Sequence, residues 1–297
     1  MHPAKASTMR GAAWAVAAVV AGLVAVAGSG GDGLSAGSAG SSLSRAATGQ
    51  AANSQVAAVK PGAPKVSVAA TAHVLNTGNG RLEAVVPDVG RTVLLIGDSQ
   101  SEPVDGWPRL GLAAAGYNVY FCGRGGTGYV AANGATGDYV DALQRGDWLL
   151  PSGTPALIVV EGGGNDAAGG ASNAQISRNA ERLIAELRSR YPGTRLAMIG
   201  TLARGSNDGG GRRSEVDALL GAVAAAHGLP FISTGDWLTR YGLAKDLADA
   251  VHMNPEGRTA LGGILERRLR ELGLDRKPAA EQGALAAVPA SGSTFQD

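Results

Sequence analysis

The chain has 297 residues, of which 44% are hydrophobic, 17% charged and 4% aromatic, with 46 glycines and a mean hydropathy of +0.03. These values exclude a wholly disordered polyelectrolyte and a polytopic membrane protein, and the alanine-rich apolar share suits one folded domain better than two. A formal charge of +1 leaves no global field to draw the chain onto phosphate, so nucleic acid is excluded as a general partner; one cysteine and four histidines are too few for Cys/His zinc sites.

In chain order, Met1 to Arg10 carries Lys5 and Arg10 without an acid, and Gly11 to Ala27 is uninterrupted small or apolar sequence closing on Ala25-Val26-Ala27. A basic start, a short apolar run and a small-residue site predict a signal peptide over residues 1–27, cleaved after Ala27. The remainder is then secreted or held at the cell surface. An uncleaved anchor is the alternative, since the run is near the lower limit of about 20 residues for a membrane span; membrane contact would be confined to it. Residues 28–65, rich in Gly, Ser and Ala, read as a flexible tether, and residues 276–297 as a disordered tail. Residues 66–90 predict a small β extension turning at Thr77-Gly78-Asn79-Gly80, because Asn-Gly favours hairpin turns.

Residues 91–275 alternate between two periods. Short apolar runs at Arg91–Gly97, Tyr117–Cys122, Ala156–Val160, Arg195–Gly200 and Pro230–Ile232 predict strands buried on both faces. Between and after them come helical patterns at Asn173–Arg190, with Ser172 as N-cap and Pro192-Gly193 as stop, at Arg212–His227, closed by Gly228, and at Gly257–Leu272. This order predicts an α/β fold with a central parallel sheet of about five strands covered on both faces, and it places function in the loops after the strands. Cys122, at the end of a strand, is expected to be a buried, inert thiol.

Those loops carry chemistry-bearing residues. Ser99, in Gly97-Asp98-Ser99-Gln100-Ser101, directly follows a buried strand, where its Oγ can stand above the sheet beside backbone N–H groups. Taken alone, the tripeptide is also an ordinary Asp-Ser turn. In Glu161-Gly-Gly-Gly-Asn165-Asp166, the glycines let a substrate approach the backbone and Asn165 offers an amide donor. Among the histidines, His2 lies in the signal segment, His73 in the β extension and His227 at a helix C-terminus, where the dipole favours it. His252 remains, in Asp249-Ala250-Val251-His252 ahead of the last helix. Asp249 can fold back onto Nδ1 and turn Nε2 toward a serine.

Gly97-Asp98-Ser99, a glycine of the second loop, Gly163-Gly164-Asn165-Asp166 and Asp249-Ala250-Val251-His252 occur in that order, each after its strand. Together they resemble the SGNH (GDSL-type) hydrolase family over about Thr92 to Leu272. The resemblance implies a flavodoxin-like three-layer α/β/α sandwich and serine ester hydrolysis by Ser99, His252 and Asp249, with no metal or other cofactor. It also implies an oxyanion hole formed by the Ser99 N–H, the Gly126 N–H and the Asn165 amide. Gly125 is the alternative to Gly126 by a one-residue shift. Two positions depart from the family pattern: Gln100 stands where leucine is usual, and Phe121-Cys122 where an asparagine often ends the second strand.

Asp98 and Asp166 are read as braces for their loops. Trp107, Tyr129 and Trp237 are candidates either for the pocket wall or for ordinary core aromatics. Gly123-Arg-Gly125-Gly-Thr-Gly128 formally fits a dinucleotide fingerprint but lacks the following helix and the acidic residue about 20 positions on. An acyltransferase with the same triad and a non-catalytic glycan-binding module on the same fold remain alternatives. The expected partner is a small-molecule, glycan or lipid ester; location outside the cytoplasm favours an acylated cell-envelope glycan or lipid.

Overall fold

The computed structural model describes residues 64–276, so the expected signal segment and almost all of the expected tether and tail lie outside the described residues. Strands β1 (Ala72–Asn76) and β2 (Arg81–Val85) pair antiparallel around the turn at Thr77–Gly80. The side chain of Asn76 accepts the Gly78 N–H and that of Asn79 accepts the Arg81 N–H, so the turn is closed by its own asparagines. The hairpin joins the main body through Ala84, whose N–H donates to Leu150 and whose carbonyl accepts from Ser152.

The main body is a five-stranded parallel sheet of β3 (Thr92–Gly97), β4 (Asn118–Gly123), β5 (Leu157–Glu161), β6 (Leu196–Ile199) and β7 (Phe231–Ile232). Their spatial order is β4-β3-β5-β6-β7, which read within this sheet is the 2-1-3-4-5 order of doubly wound folds. Alternation along each strand divides its side chains between two cores. Val93, Leu95, Leu157, Val159, Ala197 and Ile199 face one core with α1 (Trp107–Ala114), α6 (Trp237–Arg240) and α7 (Pro255–Glu271). Leu94, Ile96, Ile158, Val160, Leu196 and Met198 face the other with α2 (Tyr139–Arg145), α4 (Asn173–Arg190) and α5 (Gly211–Ala226). One further short helix, α3 (Gly164–Ala168), follows β5 directly. The result is the three-layer α/β/α sandwich.

Local chemistry explains the boundaries. Helix α4 opens with a reciprocal capping box between Ser172 and Gln175, and α7 opens on Asn254, whose side chain accepts the Gly257 N–H ahead of Pro255 in the first turn. Helices α1, α2, α3 and α6 escape a periodicity reading because each spans only 4–8 residues. Cys122 is buried, with burial pushing its thiol above the usual range. Among the described residues no helix is long and apolar enough to cross a membrane.

The α1–α7 contact depends on a missing side chain. A methyl group on Gly111 would lie 2.7 Å from Cδ2 and 2.8 Å from Cβ of Leu265, which requires the helices to part. Overpacking of this kind costs about 1–3 kcal/mol, against about 1 kcal/mol gained in helix propensity. Gly111→Ala is therefore expected to lower the thermal unfolding midpoint by roughly 2–4 °C. A rise would show that the two helices have slack.

Candidate active site

The strand order sets the site. From β3 the chain passes first to β4 on one side, and the sheet then continues through β5 on the other, so the loops after β3 and β5 leave in opposite directions and open a crevice. Ser99 follows β3, Asn165 follows β5, and the glycine-rich loop at 123–128 follows β4. The segment holding Asp249 and His252 arrives from beyond β7 and is pinched at its base by the Leu247–Met253 bridge and by the Ala248 N–H donating to the His252 carbonyl.

Within that pinched segment one carboxylate does two jobs. Asp249 Oδ1 accepts the N–H groups of Val251 and His252 at 2.8 and 2.7 Å, and Oδ2 lies 2.8 Å from His252 Nδ1. These donors hold the Asp249 carboxyl well below the usual carboxylate range. With Nδ1–H donated to Asp249, Nε2 is the free lone pair of the ring, and it stands 2.8 Å from Ser99 Oγ. The structure thus brings Ser99, His252 and Asp249 into one hydrogen-bonded chain, which can move a proton off the serine hydroxyl.

The donor side of the site is built by two more aspartates. Asp98 Oδ1 accepts the Gln100 N–H at 2.9 Å, and Oδ2 accepts from Asn165 Nδ2 at 3.2 Å, tying the β3 loop to the β5 loop. Asn165 Nδ2 also donates to the Thr127 carbonyl at 2.9 Å. Asp166 accepts the N–H groups of Tyr129, Val130 and Ala131 at 2.7–3.0 Å and so fixes the loop after β4. A methyl group on Gly163, which has φ +101°, would meet Thr201 Oγ1 at 2.5 Å; glycine is what lets this turn lie against β6's following loop.

The two candidate glycines differ in their surroundings, and Gly125 is the one that adjoins the serine loop. A methyl group on Gly125 would lie 3.3 Å from Ser99 Cβ, and the Gly125 N–H is taken by Glu102 Oε2 at 2.9 Å. Gly126 neighbours Asn133, and its N–H, like that of Ser99, has no protein acceptor among the described residues. The Ser99 N–H, next to the Ser99–His252 pair, is thus a backbone donor open to an incoming anion.

Behind the serine loop lies a buried acid cluster. The Ser101 hydroxyl donates to Glu161 Oε2 at 2.7 Å. Burial pushes the Asp98 carboxyl up to about 6; it pushes Glu161 well above its ordinary range, with the Asp98 charge adding to the effect. Arg213, itself largely buried and donating to the Leu202 carbonyl, supplies a compensating positive charge to both. Among the described residues no group of three or more His, Cys, Asp or Glu side chains is placed to hold a metal ion.

Ser99 and His252 open onto a cavity of about 280 Å³, shared with Gln100, Glu102, Pro103, Met253 and Arg258. Of the two readings of Trp107, Tyr129 and Trp237, pocket wall or core aromatics, the structure supports the second: all three are at most 1% exposed, and Trp107 packs against Trp237 in the core at a centroid distance of 5.9 Å. Glu102 and Arg258 were not legible as cavity residues, since a charged side chain on a loop or on the first turn of a helix ordinarily faces solvent. Arg258 is held at 2.5 Å from Asp105 and donates to the Met253 carbonyl. A larger cavity of about 600 Å³ beside the β1–β2 hairpin contains none of the motif residues. The loop at 123–128 is no phosphate cradle: the next helix begins only at Tyr139, and the N–H groups that follow the loop are spent on Asp166.

A sequence model of the GDSL-like lipase/acylhydrolase family matches residues 95–260, and the chain belongs to that family. Among solved structures, Est24, a carbohydrate acetylesterase from Sinorhizobium meliloti, is similar at 17% identity and a TM-score of 0.47, over 61% of this chain and 99% of that one. A lipase/acylhydrolase from Enterococcus faecalis is 22% identical with a TM-score of 0.47, over 64% and 100% of the two chains. A family two carbohydrate esterase from Clostridium thermocellum, solved with cellohexaose, is 18% identical with a TM-score of 0.47, over 67% and 70%. No curated protein matches.

The buried Asp98 carboxyl makes a pH prediction. It takes up its proton near pH 6 in the folded chain and near 3.8 when unfolded, so folding binds a proton between those values and the group's contribution to stability falls as pH rises through that window. Asp98→Asn removes this dependence. The stability of the variant relative to wild type should rise between pH 4 and 6, by at most about 3 kcal/mol, and level off above. Chemical denaturation across that range reads it out, and a flat difference would show that the Gln100 N–H and Arg213 offset the effect of burial on Asp98.

Proposed function

We propose that the protein is an exported serine esterase that hydrolyses a short acyl ester of a polar, glycan-type alcohol through Ser99, His252 and Asp249. The observation that carries the proposal is the continuous relay from Ser99 Oγ to His252 Nε2 and from His252 Nδ1 to Asp249, each link 2.8 Å. In this reading His252 takes the hydroxyl proton as Ser99 attacks the ester carbonyl, while Asp249 stabilises the imidazolium that forms. The carbonyl oxygen, now an anion, accepts the free N–H groups of Ser99 and Gly126. It also competes for the Asn165 amide proton engaged in the longer, 3.2 Å contact to Asp98. His252 then protonates the departing alkoxide, and water repeats the sequence on the acyl-enzyme.

The cavity supports the choice of ester. At about 280 Å³, it lies at the small end of ligand sites, which suits an acetyl-sized group. Glu102 and Arg258 on its wall favour a hydroxyl-rich alcohol over a long hydrocarbon chain. Export rests on the basic start, the apolar run and Ala25-Val26-Ala27. N-terminal sequencing of the mature protein is expected to begin at Gly28, and a chain still starting at Met1 would indicate an anchor.

Ser99→Ala should abolish hydrolysis of p-nitrophenyl acetate, and wild-type rates should fall as the acyl chain lengthens; a preference for long chains would overturn the short-acyl reading. Asn165→Ala should lower kcat more than it raises KM, by roughly 10²- to 10³-fold, because its N–H strengthens only as the oxyanion forms. Asn165→Asp should be as damaging, since it aims a carboxylate at developing negative charge. Near-normal kcat in a folded Asn165→Ala would remove that residue from the oxyanion hole.

A further inference from the structure

We infer that Gln100, which stands where the family has leucine, is a positioning residue that holds His252 within reach of Ser99; the inference rests on the triad reading above. Its side chain is buried, and both ends of its amide are engaged. Nε2 donates to the Val251 carbonyl at 2.9 Å across 151 residues of sequence, and Oε1 accepts from Trp107 Nε1 at 3.0 Å. Leucine can make neither bond.

The Val251 carbonyl is the decisive acceptor. It belongs to the peptide that leads into His252, and the N–H of that same peptide donates to Asp249 Oδ1 at 2.7 Å. The peptide is therefore clamped at both ends, by Gln100 on its oxygen and by Asp249 on its nitrogen. Neither His252 nor Asp249 is packed tightly enough to be located by burial: their side chains are 40% and 56% exposed. Asp249 orients the ring within its own segment, but it cannot fix that segment relative to the serine loop. Gln100 can, because it is the residue next to Ser99 and its own N–H is fixed by Asp98 Oδ1 at 2.9 Å.

Trp107 selects which end of the amide does this. The indole donates only, so it demands the amide oxygen and leaves the nitrogen to face Val251. Trp107 is itself immobilised, being fully buried against Trp237. The order of constraint thus runs from a core aromatic pair, through one amide, to the backbone of the histidine segment.

The test is steady-state kinetics of Gln100→Met and Gln100→Glu on p-nitrophenyl acetate, with Ser99→Ala as reference and thermal unfolding recorded for each. Methionine keeps the length without the donor; glutamate keeps the acceptor for Trp107 but turns an oxygen toward the Val251 carbonyl. Both should lose about 10- to 100-fold in kcat with KM within twofold, the signature of a misplaced base with substrate binding intact. Trp107→Phe, which leaves the Val251 bond possible but the amide unlocked, should lose less than either. If one Gln100 variant fails to fold, the other is read by the same split. Wild-type kcat in a folded Gln100 variant would overturn the positioning role, as would equal losses in kcat and in substrate affinity. Activity that survives in Ser99→Ala would instead sink the triad reading itself.

Discussion

The site end of this fold depends on aspartates that close the loops after the strands. A parallel strand leaves its last backbone N–H groups with nowhere to go once the ladder stops, and buried donors must find acceptors. Here Asp98 closes the loop after β3, Asp166 reaches back to fix the loop after β4, and Asp217 takes the Thr234 N–H and the Ser233 hydroxyl after β7. Asp249 closes the histidine segment in the same way. Each short carboxylate accepts two or three donors, so each loop is held in one shape without a long side chain.

That solution has an electrostatic cost. Asp98 and Glu161 lie almost fully buried behind the serine loop, and burial disfavours their charged forms. Arg213 offsets part of the cost from α5 while donating to the Leu202 and Gly164 carbonyls. Asp249 differs: it is half exposed, and its charge is stabilised by backbone donors and the imidazole rather than opposed by desolvation. The carboxylate that faces His252 is therefore the one free to remain ionised, which is what a partner for a transient imidazolium requires.

The five strands were legible because a short run of apolar residues bounded by turn-forming sequence is a local signal, and Ser99 and Asn165 stood out because each follows such a run closely. Alternation of the helices and strands was enough for the layer order. What sequence could not give was long-range pairing. Asp166 as a brace could be anticipated, but its three donors lie 35–37 residues away on another loop. Gln100 registered only as a departure from a pattern, and its partner Val251 is visible only in three dimensions. The aromatic residues were ambiguous for a different reason: Trp107 and Trp237 near a motif read equally as pocket wall or core, and burial assigns them to the core. Glu102 on the cavity wall carried no signal at all, since its meaning comes from the Gly125 N–H it accepts.

The central claim is that Ser99 is a nucleophile activated by His252. It is tested most directly by treating the folded protein with a fluorophosphonate and locating the adduct by peptide mass spectrometry, with His252→Ala alongside. Phosphonylation is expected at Ser99 alone, and its rate should fall by at least about 10²-fold in His252→Ala, since loss of a general base removes the proton acceptor. An unlabelled Ser99, or labelling at the same rate without His252, would contradict it.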